Sequence, residues 1–197
     1  AELVISPEQA GWQYSGLHVA NLSAGKDFSL ELTGEEAVIL SLSAKDVTVT
    51  VNGEKFTLAG REGVFDQVSD WIYASVGSKI TLSAAKGEVA ICTARATEMF
   101  PVVYTKASDV VVEVRGAGSA SRQVTNYATP DSFQAAHKIS VCEVITPGGN
   151  VSSWPPHRHD GIDGCVANNE EIYYFRIGKN DLPHGDSEGV GLFHMYT

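Results

Sequence analysis

Between residues 26 and 95, hydrophobic and polar positions alternate in short runs separated by turn-forming residues. Successive side chains on an extended strand point to opposite faces, so this alternation predicts half-buried strands. Lys26–Leu32 (KDFSLEL) and Val47–Val51 (VTVTV) follow it closely. Ala37–Leu42 (AVILSL) is more continuously apolar, as a strand covered on both faces requires. Asn52-Gly53 separates Val47–Val51 from Lys55–Leu58, and that dipeptide readily adopts the positive φ angles of a tight hairpin. After a turn carrying Gly60 and Gly63, Trp71–Val76, Lys79–Ser83 and Glu88–Ala94 supply three further strands. Helical periodicity is weak throughout.

The pattern loosens around Pro101, which predicts a linker or crossover, and then resumes. Val110–Val114 (VVVEV) reads as a strand, followed by a Gly/Ser-rich loop that carries Arg115 and Arg122. Ser132–Lys138 is polar and predicts a short helical turn. Ile139–Ile145 is a strand ended by Pro147-Gly148-Gly149, and Glu171–Ile177 and Gly189–Tyr196 are two more. The expected architecture is all-β in two strand-rich halves, residues 1–105 and 106–197. The last apolar run stops without a turn or polar tail, so the second half is expected to lack its final strands.

Candidate chemistry is concentrated between Gly148 and Arg176. His157 and His159 are two apart, so on an extended segment their imidazoles share a face while Arg158 points away. Pro155-Pro156 stiffens the approach. An isolated H-x-H is most simply a surface pair. Here an acidic, aromatic strand follows, and two imidazoles with one carboxylate make a three-ligand site with positions left for substrate. Glu170 and Glu171 are adjacent and face opposite sides, so spacing alone does not choose between them. Asp160 and Asp163 are either acceptors behind the histidines or turn caps. Cys165 and His194 are outside candidates as ligands. The first half has no comparable motif and is expected to be metal-free.

Composition narrows the classes. The net charge of −10 argues against nucleic-acid binding and means that an anionic substrate needs locally placed cations. Three widely spaced cysteines without a C-x-x-C argue against a disulfide framework or a zinc knuckle. With no signal-peptide pattern at the start and no apolar run of membrane-spanning length, the expectation is a cytoplasmic protein. Nucleophile-elbow, P-loop and dinucleotide fingerprints are absent.

The segment P-G-G-N-x-S-S-x-P-P-H-x-H-D at 147–160, a loop, and E-E-x-Y-Y-F-R at 170–176 resemble the 5-deoxy-glucuronate isomerases of bacterial myo-inositol catabolism. These are bicupins related to 4-deoxy-L-threo-5-hexosulose-uronate ketol-isomerase. The resemblance extends through Val114-Arg115-Gly116, Arg122-Gln123-Val124, Gly60-Arg61 and Val64-Phe65. At Val151–Trp154 the chain departs, since the family more often has an aromatic first and a tyrosine before the prolines. The resemblance implies two tandem jelly-roll-like cupin barrels, 1–105 without metal and 106–197 metal-binding but incomplete. It also implies a divalent ion (zinc, manganese or iron) on His157, His159 and Glu171, with a later histidine beyond Thr197. The implied reaction is aldose–ketose isomerisation of 5-deoxy-D-glucuronate to 5-dehydro-2-deoxy-D-gluconate, by proton transfer or hydride shift. Tyr173 and Glu170 are the implied catalytic groups, and Arg122 and then Arg176 the implied partners of the substrate carboxylate. The expected partner is a small sugar acid, with homo-oligomers open. The rival class is another cupin, either a metal-dependent oxygenase or a non-enzymatic sugar-acid binder.

Overall fold

Strand-forming runs separated by turns build antiparallel ladders through the residues described by the computed structural model, 3–178 and 189–195. In chain order the first elements are β1 (Leu3–Ile5), the one-turn helix α1 (Pro7–Ala10), β2 (Ser15–Ser23), β3 (Phe28–Glu31) and β4 (Glu35–Ser41). They are followed by β5 (Lys45–Val51), β6 (Glu54–Gly60), β7 (Trp71–Ala74), β8 (Lys79–Ser83), β9 (Lys86–Arg95) and β10 (Val103–Thr105). The last three are β11 (Val111–Arg115), β12 (Arg122–Ala128) and β13 (Val141–Ile145).

The first ten strands form two sheets, ordered β1-β2-β9-β4-β7-β10 and β3-β8-β5-β6. Ala20, Leu22, Ile39, Ile72 and Ile91 from the larger sheet meet Val47, Val49, Leu58, Ile80 and Leu82 from the smaller in a dry core. Each such aliphatic side chain contributes roughly 1.5–3 kcal/mol by leaving water. At the β5–β6 hairpin, Asn52 and Gly53 take φ values of 52° and 89°. The sequence therefore places this turn correctly.

The larger sheet is covered on its other face too. Leu17, Val19, Val38, Leu40, Trp71 and Tyr73 pack against Tyr127 and Ala128 of β12, with Phe133, Ile139, Val141 and Ile172 at the margin. That second layer is why β4 reads as a continuous apolar run. The three-stranded sheet β11-β12-β13 thus leans on the first sandwich.

Two buried carboxylates fasten the halves together. Glu36, on β4, accepts hydrogen bonds from the Tyr73 hydroxyl at 2.7 Å and from the backbone N–H groups of His137, Lys138 and Ile139 at 2.9, 2.5 and 2.8 Å. Glu143, on β13, receives a two-pronged bond from the fully buried Arg61, with contacts of 3.0 and 2.5 Å. The Tyr73 hydroxyl is pushed above its usual pKa by burial first and then by Glu36.

Five expectations change. Residues 132–138 form turns rather than a helical segment, because Glu36 draws the N–H groups of 137–139 towards the sheet. Ile139 is therefore spent outside the ladder and β13 begins at Val141. Glu171–Ile177 is in no ladder; its side chains reach the first half instead, Arg176 donating to Glu88 at 2.5 Å. The described residues 189–195 of the last predicted strand are likewise unpaired as strand, and Tyr196 lies outside the described residues. Around Pro101, finally, the chain does not merely link: β10 pairs with β7 at the edge of the larger sheet.

Candidate metal and active site

A tight loop brings the candidate ligands together. Beyond the cis Trp154–Pro155 bond, the chain runs through His157 and His159, turns, and returns antiparallel to itself. Asp160 bridges Asn168, Gly161 donates its N–H to Ala167 at 2.9 Å, and Asn169 donates its N–H to the His159 carbonyl at 2.8 Å. Glycines at 161 and 164 (φ 70° and 83°) and Asp163 (φ 50°) supply the left-handed positions the turn requires. Cys165 directs its thiol to the Arg158 and Ala167 carbonyls, which employs it inside the loop.

This return path sets Glu171 beside the histidines. The His157 and His159 rings lie 4.9 Å apart, centre to centre, and His159 Nε2 stands 3.5 Å from a Glu171 oxygen. His157 Nδ1 is 3.3 Å from the Pro155 carbonyl oxygen, so donation there leaves Nε2 as the lone-pair nitrogen. Tyr173 donates its hydroxyl to the other Glu171 oxygen at 3.2 Å. Partial burial first, and then the Glu171 charge, raise the Tyr173 pKa above that of a free phenol. Tyr173, Phe175 and Phe193 form an aromatic cluster around it.

Glu170 lies elsewhere. Its two oxygens accept the consecutive backbone N–H groups of Gln13, Tyr14 and Ser15 at 2.6, 2.8 and 2.9 Å. Desolvation pushes the carboxyl up, but these three donors outweigh it and hold the pKa below the usual range. Glu170 thus pins the segment to residues 13–15 at the start of β2 rather than turning to the histidines. Asp160 and Asp163 pair with Arg158 at 3.5 and 3.3 Å and shape the turn. Arg176 is committed to Glu88 and Tyr174, and Arg122 donates to the Ala120 carbonyl at 3.2 Å. His194 is exposed, and His184 lies outside the described residues.

Among the described residues no three His, Cys, Asp or Glu side chains are already drawn into a ligand cluster. The donors at 157, 159 and 171 nevertheless match a divalent ion in kind, two imidazoles and one carboxylate, and they occupy one accessible patch. Glu113 on β11, which no local signal marks, accepts hydrogen bonds from Arg115 at 2.6 Å and from Asn126 of β12 at 2.8 Å. Arg115 itself opens the Gly/Ser-rich loop that the sequence marks, and that loop reading hides the start of β12.

The KduI/IolB family matches the chain over residues 2–197. The 5-deoxy-glucuronate isomerase of Geobacillus kaustophilus (strain HTA426) is 35% identical over 178 residues, 88% of this chain and 63% of that protein. That of Listeria monocytogenes serotype 4b (strain CLIP80459) is 36% identical over 170 residues, 83% of this chain and 61% of the relative. A solved IolB-like protein from Salmonella typhimurium LT2 superposes with a TM-score of 0.74 at 32% identity, covering 80% of this chain and 60% of that one. The chain thus spans about three fifths of the curated relatives it matches. Among the described residues no helix is long and apolar enough to cross a membrane.

Proposed function

The chain belongs to the KduI/IolB family, and from that premise we propose that it carries the metal centre of a 5-deoxy-glucuronate isomerase. The reaction interconverts 5-deoxy-D-glucuronate and 5-dehydro-2-deoxy-D-gluconate. A proton leaves the carbon next to the aldehyde, another is delivered to the aldehyde carbon, and the hydroxyl proton passes between the two oxygens. The observation that carries this reading is the contact of His159 with Glu171 at 3.5 Å beside His157.

A divalent zinc, manganese or iron ion on His157, His159 and Glu171 would supply Lewis acidity at the substrate carbonyl. The remaining work falls to side chains of this chain. Tyr173, hydrogen-bonded to Glu171, holds that carboxylate in one orientation and places a hydroxyl at the edge of the site. Its raised pKa keeps it protonated at neutral pH, so it acts as a hydrogen-bond donor and proton source rather than as a standing base. The loop 160–168 closes one side of the patch, and the aromatic cluster supplies an apolar wall.

Metal analysis paired with an assay on 5-deoxy-D-glucuronate tests the reading. The protein is expected to hold a divalent ion and to form the ketose, and His159→Ala is expected to lose both. Retention of metal and turnover by His159→Ala would overturn the site. Oxygen uptake without isomer formation would move the protein to the oxygenase class instead.

A further inference from the structure

Resting on that reading, we propose that Arg115 is the anchor for the carboxylate of the sugar-acid substrate. The register of β11, β12 and β13 sorts their side chains by face. Val111, Asn126 and Cys142 form one row across the sheet, Glu113, Val124 and Val144 a second, and Arg115 with Arg122 a third, all on the same face. The opposite face carries Thr125, Tyr127 and Glu143, and it packs on the first sandwich through Arg61. The Arg115 face is therefore turned away from the sandwich; Val124 and Asn126 are buried on it, while Arg115 at its edge is exposed.

The segment that leads to the candidate metal centre is tied to the loop that follows Arg115. Val151 donates its N–H to the Ser119 carbonyl at 2.8 Å, and the Asn150 side-chain amide donates to the Ser121 carbonyl at 2.7 Å. A substrate with a carbonyl at one end and a carboxylate at the other needs this arrangement, with ligands at one end and a cation at the other.

Arg115 also has the right build. Its Nη2 donates to Glu113 Oε1 at 2.6 Å, and the same oxygen accepts from Asn126 Nδ2 at 2.8 Å. Glu113, itself held by Asn126, fixes the guanidinium in one orientation. The side chain remains 51% exposed, and among the described residues Glu113 is its ion-pair partner. A planar fork tied by one nitrogen still offers an edge that matches a carboxylate with two hydrogen bonds. The neighbouring arginines are engaged otherwise: Arg122 with the Ala120 carbonyl, Arg158 with Asp160 and Asp163, Arg176 with Glu88. Glu113 is a positioning residue in this scheme; Arg115 makes the contact.

Calorimetric titration of the metal-loaded protein with D-glucuronate, and with D-glucose as the analogue lacking the carboxylate, tests the assignment without turnover. Arg115→Leu is expected to weaken D-glucuronate binding about 10- to 100-fold, the usual worth of a charge-assisted pair, and to leave D-glucose binding unchanged. Arg115→Lys should recover part of the loss, since it restores the charge without the fork. Lys55→Ala, on the remote β6, controls for net charge and is expected to bind both sugars as the parent does. Equal D-glucuronate binding by the parent and Arg115→Leu would overturn the anchor and leave the isomerase reading standing. Failure of the parent to bind D-glucuronate would overturn both together. A loss for D-glucose equal to that for D-glucuronate would assign Arg115 a structural role and overturn the anchor alone.

Discussion

Replacing Arg61 with methionine keeps the unbranched stem of the side chain and removes its charge and donors. Arg61 is fully buried, and its fork closes on Glu143 with contacts of 3.0 and 2.5 Å. Its Nε donates to the Ser41 carbonyl at 2.9 Å and its Nη1 to the Gln67 carbonyl at 3.0 Å. Methionine thus leaves a carboxylate that is only 17% exposed without its cation, and two carbonyls without their donor. Breaking a buried pair from one side costs about 3–5 kcal/mol, because the surviving charge stays desolvated. For a chain of this size each kcal/mol moves the midpoint by about 2–4 °C, so the midpoint should fall by roughly 6–20 °C. Urea unfolding followed by tryptophan fluorescence measures the first number, and thermal unfolding followed by far-ultraviolet circular dichroism measures the second. Arg61→Met/Glu143→Leu should recover much of the loss, since it removes the stranded charge as well. A loss under about 1 kcal/mol for Arg61→Met, or a double variant as unstable as the sum of the singles, would refute the buried-pair account.

Gly87→Ala should destabilise by at least about 2 kcal/mol, because φ is +109° and a Cβ there meets the Ser43 carbonyl oxygen at 2.2 Å. Gly53→Ala, at φ +89° with nothing within 4 Å, should cost only about 1 kcal/mol in the same urea titration. Glu170→Ala should cost about 1–2 kcal/mol at neutral pH, the usual worth of a carboxylate capping backbone N–H groups. Its carboxyl is held below the usual range, so this contribution is present above the unfolded value of about 4.3 and is lost as pH falls through the folded one. The stability gap between parent and variant should therefore close in acid, and a gap that widens there would contradict the assignment.

Local pattern carried the first sandwich well, because the strands of its smaller sheet alternate against a single core and β4 and β7 of the larger are largely apolar runs. Lys79–Ser83 and the Asn52-Gly53 hairpin fall where periodicity and turn chemistry put them. What remained hidden depended on partners distant in sequence. The stretch RQV at 122–124 reads as the end of a Gly/Ser-rich loop, yet it opens β12, the middle strand of its sheet, with Tyr127 seated against the first half. The run at 171–177 has every local sign of a strand and stands in no ladder: Arg176 reaches Glu88, and the preceding Glu170 is held by residues 13–15. Residues 137 and 138 read as part of a helical turn and Ile139 as the start of a strand, because nothing local announces that Glu36, about a hundred residues earlier, takes their N–H groups.

The adjacent glutamates show how such distant contacts can set a site. Alternation demands that Glu170 and Glu171 point apart, but it does not say which one meets the histidines. Three consecutive N–H groups at 13–15 capture Glu170, and that capture turns Glu171 to His159 and Tyr173. The first sandwich is in this sense part of the candidate metal centre without contributing a ligand, because it holds the neighbour of the proposed one. Arg176 repeats the device at the other end of the segment by gripping Glu88. Between these two clamps the three intervening aromatic residues are presented as one piece, with Tyr173 stacked on Phe175 at 5.9 Å. A segment clamped at both ends needs no ladder hydrogen bonds to keep its register, which accounts for a site built on chain that is not a strand.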